Sequence, residues 1–189
     1  MGMFEYVAIL TSIILGLGIA HLLQGTARLI QDPEAGRPYW VHLVWVLYIF
    51  LTTVFWWWWE FRLKDLAVWS FPVYLFVVLF AVALYLLCSM LFPGRIDRYD
   101  GFKDYFYSRR AWFFGLFIVF MLIDIGDTLL KGRAYFASLG PEYVITRVVK
   151  IALCLVAMRT ENEAFHGAFA VANVLQQLSW ALRFYDTVG

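Results

Sequence analysis

The sequence has little charge, and this shortage narrows the class of protein. Charged residues make up 15% of the 189 residues, and hydrophobic residues make up 63%. Soluble domains carry roughly 25% charged and roughly 45–50% apolar residues, glycine included. So large an apolar excess cannot be hidden in the core of one soluble domain, and it excludes an ordinary soluble protein.

The sequence also has few cysteines and no familiar catalytic motif. Cys88 and Cys154 both fall in apolar runs without a CxxC pair, so we expect two small buried side chains and no disulfide. No G-x-S-x-G, HExxH or P-loop is present. His21, His42 and His166 lack the matched depth or the neighbouring ligands of a haem or metal site. The sequence therefore predicts no catalytic residue, no metal and no cofactor, and enzymatic activity is the weakest hypothesis.

Apolar runs of about twenty residues dominate what is present. A helix needs about 20 such residues to cross a bilayer, so the chain is predicted to be an all-α, polytopic helical membrane protein with about six transmembrane helices. The six runs form a single transmembrane domain, residues 1–189, and their number falls to five if the last run lies flat on the membrane. The runs lie at residues 4–30, 39–61, 69–92, 112–131, 142–158 and 161–184.

The stretches between and beside these runs suggest how the helices meet the membrane surface. Residues 93–110 mix charges with aromatic rings, which predicts a short interfacial segment between the third and fourth helices. Four consecutive tryptophans, residues 56–59, predict an interface anchor. Glu60 follows them, and we expect it in the headgroup layer near Arg62 and Lys64. The third run is apolar on every side, which favours a position facing lipid.

Two runs carry a polar face. In the first run His21, Gln24 and Arg28 recur at three- and four-residue steps, which places them in the bundle interior or at a subunit contact. Hydrogen bonding of His21 and Gln24 across a helix interface is the favoured interpretation, and a proton relay through His21 is the alternative. Ser12, Gly16 and Ala20 form a small-residue stripe on the same run. The last run has a comparable polar stripe at Asn173, Gln176 and Gln177.

Opposite charges inside two neighbouring runs give the strongest functional signal. Asp124 and Asp127 lie in the fourth run, and each costs roughly 2.5–3.5 kcal/mol on insertion at mid-helix. Arg147 and Lys150 lie in the fifth run at the same spacing. If these runs form a hairpin, acids and bases meet level by level. They either act as structural ion pairs that lock the two helices together or line a path for an ion or a proton.

These patterns predict an oligomeric channel or transporter-like protein for a proton or small cation. The alternative is a non-catalytic membrane subunit, sensor or scaffold that binds partner proteins. We expect the lipid bilayer, further copies of the chain and another membrane protein as partners, but no nucleic acid, because the basic residues are scattered. The distribution of Lys and Arg favours a bacterial inner (plasma) membrane protein with its N-terminus outside.

Overall fold

The computed structural model describes residues 2–32, 36–66 and 68–184, and these residues form helices and connecting turns without a strand. Short 3-10 turns follow the second and third helices, at Phe61–Asp65 and Ile96–Arg98. In the described part of the chain the helices are α1 (Met3–Gln31), α2 (Trp40–Glu60), α3 (Phe71–Ser89), α4 (Phe102–Leu130), α5 (Arg133–Ser138), α6 (Gly140–Ala157) and α7 (Glu163–Phe184).

Four of these helices are long and apolar enough to cross a membrane: α1, α2 with its 3-10 extension, α3 and α4. They support the predicted class of helical membrane protein. The predicted number of six crossings is not confirmed, because α6 and α7 are not among the four. Helix α6 carries Glu142, Arg147 and Lys150 within its 18 residues, and α7 carries the polar stripe.

Helix α4 differs from the prediction at its beginning. It begins at Phe102, so the second half of the predicted interfacial segment is continuous with the long helix. Gly101 precedes it with a φ of +99°, a conformation that glycine adopts without strain. The rings of Phe102, Tyr105 and Phe106 are buried, and Phe102 stacks on His42 at 4.8 Å between ring centroids. These rings therefore belong to the protein core rather than to the headgroup layer.

Helices α1 and α3 differ in how much of their surface the rest of the chain covers. Helix α3 packs against α1, α2 and α4, and Phe80, Leu84 and Cys88 are fully buried. A helix that is apolar on every side suits a protein core as well as lipid. Helix α1 lies at the periphery and packs mainly on α3. Within the single chain α1 is therefore not an interior helix, and the subunit contact expected as its alternative stays a prediction. Helix α3 has a buried face and also an exposed apolar face at Leu75, Leu79 and Leu86, which remains available to lipid.

The polar face of α1 is only partly engaged. His21 Nε2 lies 3.1 Å from the carbonyl oxygen of Phe92, just beyond the end of α3. Gln24 and Arg28 are exposed, so they do not line the interior of this chain as expected. Ser12 and Gly16 are exposed as well. The close approach of α1 is instead made at Gly25, which lies against the ring of Phe92 just beyond the end of α3.

An aromatic cluster fills the middle of the bundle. Trp45 of α2 is completely buried, and its ring centroid lies 5.3–5.8 Å from the rings of Phe113, Phe114, Phe117 and Phe169. These are mostly edge-to-face contacts, which are favourable for aromatic pairs. The cluster joins α2, α4 and α7.

The close contact of α1 with the end of α3 gives a testable prediction. A Cβ at Gly25 would lie 2.3 Å from the ring of Phe92, whereas a Cβ at Gly16 meets nothing within 4 Å. We expect Gly25→Ala to destabilise the protein by about 1–3 kcal/mol through overpacking. Gly16→Ala should be neutral or gain up to about 1 kcal/mol of helix propensity. Thermal unfolding in detergent measures both, and equal melting temperatures for the two variants would contradict this packing.

Candidate functional site

A polar cavity lies between α2, α4, α6 and α7, in the half of the bundle that carries α5. Its volume is about 120 Å³, and a single water needs roughly 10–15 Å³ of such space. The cavity therefore has room for several waters or a small solute. The side chains of Asp124 and Arg147 on its wall are 20% and 21% exposed.

Each of the four helices contributes one regularly spaced row of side chains to this cavity. Residues four apart share a helix face, and α2 presents such a row along the wall. The α2 row is Tyr48, Thr52, Trp56 and Glu60. The principal polar residues from the other helices are Asp124, Asp127 and Thr128 of α4, Tyr143, Arg147 and Lys150 of α6, and Gln176 and Gln177 of α7.

The first ionic contact joins α4 to α6. Arg147 Nη2 lies 2.8 Å from Asp124 Oδ2, and the hydroxyl of Tyr143 donates to the same oxygen at 2.7 Å. The guanidinium carbon of Arg147 also lies 5.0 Å from the centre of the Tyr143 ring, a cation–π contact. One carboxylate thus receives two donors from α6, which fixes the register of the two helices.

The second ionic contact is a triad formed by Glu60, Asp127 and Lys131. Lys131 Nζ lies 2.7 Å from Glu60 Oε1 and also donates to Asp127 Oδ2, one turn back along α4. The Glu60 and Lys131 side chains are each 4% exposed, so Glu60 is not in the headgroup layer as expected. Asp127 forms its ion pair with Lys131 at the end of α4. It does not pair with a base of α6, contrary to the level-by-level expectation.

Lys150 is the cation of the cavity without an ionic partner among the described residues. Its residue exposure is 6%, and its Nζ donates to Gln176 Oε1 at 2.8 Å and to the Tyr48 hydroxyl at 3.4 Å. The sequence predicts an acid at its level, but Asp124 contacts Arg147 instead. Counting residues along two helices gives their relative depth only to within about one turn. The offset between the charges of α4 and those of α6 depends on the geometry of the connection from α5 to α6.

The charges of the cavity nevertheless balance. Three carboxylates and three cations line it, so the wall is neutral when all six are ionised. Buried charges are costly unless opposite charges and hydrogen bonds compensate them. The acids are Glu60, Asp124 and Asp127, and the bases are Lys131, Arg147 and Lys150.

The other predicted polar residues lie in different places. Gln177 exchanges hydrogen bonds with Thr52 at 3.1 and 3.3 Å and lines the cavity with Gln176. Asn173 is buried and donates to the carbonyl of Phe169 in its own helix, outside the cavity wall. The polar stripe of α7 therefore faces protein rather than an interface.

Histidines and cysteines form no metal centre in the described ranges. His42 and His166 contact the carbonyls of Leu91 and Thr160, respectively. Cys88 and Cys154 are buried free thiols. No group of three or more histidine, cysteine, aspartate or glutamate side chains within residues 2–32, 36–66 and 68–184 is arranged to hold a metal ion.

Sequence reasoning missed the contribution of α2 to this site. The four consecutive tryptophans were interpreted as an interface anchor at the end of the helix, and the face that α2 presents to the cavity was not predicted. The four-residue spacing of Tyr48, Thr52, Trp56 and Glu60 was nevertheless visible in the sequence as a polar and aromatic row that ends in a carboxylate. Such a row on an apolar helix indicates an inward-facing site.

Comparison with protein-family models, with curated proteins and with solved structures finds no match for this chain. The function of the chain is therefore inferred from the geometry of the cavity.

A double-mutant cycle tests the ionic contact between α4 and α6. Asp124→Ala strands the Arg147 guanidinium, so we expect it to destabilise the protein by roughly 1–3 kcal/mol, while Asp124→Ala combined with Arg147→Met should cost less than the single change. Thermal unfolding in detergent gives the coupling energy.

The matched control is the exposed pair of Glu142 and Arg183, whose side chains are 47% and 46% exposed. Its coupling energy should be much the smaller of the two, because solvent screens exposed ion pairs. Additive losses for Asp124 and Arg147 would show that their contact contributes nothing to stability.

Proposed function

We propose that α1, α2, α3, α4, α6 and α7 all cross the bilayer. Helices α6 and α7 are about 27 and 33 Å long at 1.5 Å per residue, close to the roughly 30 Å hydrocarbon core. The charges of α6 face the cavity or its rim, and its outer face is apolar. The exposed apolar residues of the two helices are Val144, Ile145, Val148, Val149, Leu155 and Val156 on α6 and Val171, Leu175, Leu178 and Leu182 on α7.

The distribution of basic residues supports one orientation of this six-helix bundle. Cytoplasmic loops carry an excess of Lys and Arg. The end of the bundle opposite α5 carries more of them, which supports an outer position for α5 and for the N-terminus in a bacterial inner membrane. That end holds Arg28, Arg37, Arg95, Arg98, Lys103, Arg109, Arg110 and Arg159, against Arg62, Lys64, Lys131, Arg133 and Arg183 at the α5 end.

Within this bundle we propose a transporter-like function that takes up a proton or a small cation from the outer side. The observation that carries the proposal is a roomy cavity inside the bundle with three carboxylates on its wall. Glu60 Oε2 and Asp127 Oδ1 are buried and accept no hydrogen bond from the described residues. Carboxylate oxygens hold protons and hard cations, and intramembrane acids mark ion and proton paths.

The aromatic cluster around Trp45 supports uptake into a one-sided cavity over an open channel in a single chain. Trp45 packs against the rings of Phe113, Phe114 and Phe117, and it also contacts the ring of Tyr48, which lines the cavity. Passage to the other side then requires a helix movement or a path between copies of the chain. An oligomer of the whole chain is therefore part of the proposal.

The second candidate is a non-catalytic membrane subunit or scaffold. The exposed positions of Ser12 and Gly16 on α1 favour it, because a stripe of small residues allows another helix to approach closely. In this case the charged residues serve only to fix the register of the helices.

Flux measurements in proteoliposomes separate the two candidates. We expect the wild-type protein to carry protons or a monovalent cation above the rate of empty vesicles. Asp124→Asn and Asp127→Asn should lower that rate by at least about tenfold, the effect of about 1.4 kcal/mol. Asp97→Asn, which changes an exposed acid in the loop before α4, is the control and should leave the rate unchanged.

Wild-type flux of both kinds of ion at the level of empty vesicles would rule out transport. An unchanged rate in both aspartate variants would rule out a path through these acids.

A further inference from the structure

Positive and negative charges are unevenly distributed along the wall of the cavity. With all of its groups ionised, the triad of two carboxylates and one lysine has a net charge of −1, and the pair of Asp124 and Arg147 is neutral. Lys150 adds the compensating positive charge, but it does so without touching a carboxylate of the described residues. The positive charge of the wall is thus separated from the excess negative charge.

Lys150 also has donor capacity to spare. An ammonium group has three N–H donors, and the described residues supply two acceptors, Gln176 Oε1 and the more distant Tyr48 hydroxyl. Arg147, one turn away on the same face of α6, lines the same cavity, and its side chain is 21% exposed despite its contact with Asp124. Two cationic donors therefore converge on the same cavity.

We infer that Lys150 and Arg147 bind the carboxylate group of a small organic solute in this cavity. The inference depends on the proposed function, for which it names the substrate class. A carboxylate has two oxygens and can accept from an ammonium and a guanidinium together. Residues three apart on a helix are neighbours at about 5–6 Å between Cβ atoms, which suits this bridging. The volume of about 120 Å³ restricts the solute to a small one.

Charge balance connects the carboxylate to the cation of the proposed function. The wall is neutral with its six groups ionised, so a bound carboxylate alone leaves a buried negative charge, which is costly. A proton or small cation at the carboxylates of Glu60 and Asp127, which line the cavity, removes that cost. The cavity thus takes an anion and a cation together, with the anion at Lys150 and the cation at the triad.

Binding of acetate and succinate to the full-length protein in nanodiscs tests the inference. Sodium chloride at equal ionic strength is the reference, and sulfate is the competing non-carboxylate anion. We expect acetate or succinate to raise the melting temperature in a saturable way, because a ligand that binds only the folded state stabilises it. Chloride and sulfate should give no saturable rise.

Variants locate the binding. Lys150→Gln should raise the dissociation constant by at least about tenfold, as expected for loss of a hydrogen bond to a charged group. Lys150→Arg should keep binding within about threefold, since it retains the cation. Lys103→Gln, which removes an exposed lysine at the opposite end of the bundle, is the matched control and should bind like the wild type.

A second measurement leaves Lys150 in place. Thr146 lines the cavity, so acetate or succinate should slow thiol labelling in the Thr146→Cys variant at the concentrations that stabilise the protein. Absence of saturable binding to the wild type, or unchanged binding in Lys150→Gln, would overturn the carboxylate site. Aspartate-dependent cation flux without carboxylate binding would overturn this inference alone. Carboxylate binding without any flux would leave the site standing and overturn the proposed transport.

Discussion

Opposite charges in the interior of the bundle neutralise one another, and their contacts link α2, α4 and α6. Breaking a buried ion pair typically costs about 3–5 kcal/mol because it leaves an uncompensated charge. Lys131 joins α4 to α2 through Glu60, and Arg147 joins α6 to α4 through Asp124. Helix α6 can therefore place two cations inside the bundle while its outer face remains apolar.

The same charged residues line a polar cavity inside the bundle. The cavity lies in the half of the bundle that carries α5, and the aromatic cluster around Trp45 borders it through the ring of Tyr48. Below the acids lies Lys150, which shares its hydrogen bonds with Gln176 and Tyr48 instead of a carboxylate. A purely structural ionic network has no need of such a cation beside open space. This asymmetry is the main support for uptake of a solute over simple locking of helices.

The sequence was sufficient for the class of protein and for the regions that carry the charges, because the apolar runs and the acids and bases within them are visible directly. It was insufficient to predict which charged side chains contact one another. The lysine that contacts Glu60 is 71 residues away in the chain, whereas Arg62 and Lys64 are adjacent and suggested a headgroup position. The place of α3 was also hidden, since uniform apolarity is compatible with lipid and with a protein core. The beginning of α4 was missed because its first residues mix charges with rings.

Labelling of single cysteines from each side of the membrane tests the central claim most directly. Thr146 lines the cavity, whereas Val148, two residues on, is 61% exposed on the outer face of α6. With Cys88 and Cys154 buried, a membrane-impermeant thiol reagent should label the Thr146→Cys variant from the α5 side alone. It should not label the Val148→Cys variant, because lipid covers this position in the proposed six-helix bundle. Labelling of Val148→Cys, or no labelling of Thr146→Cys from either side, would contradict a charged, water-filled cavity inside the bundle.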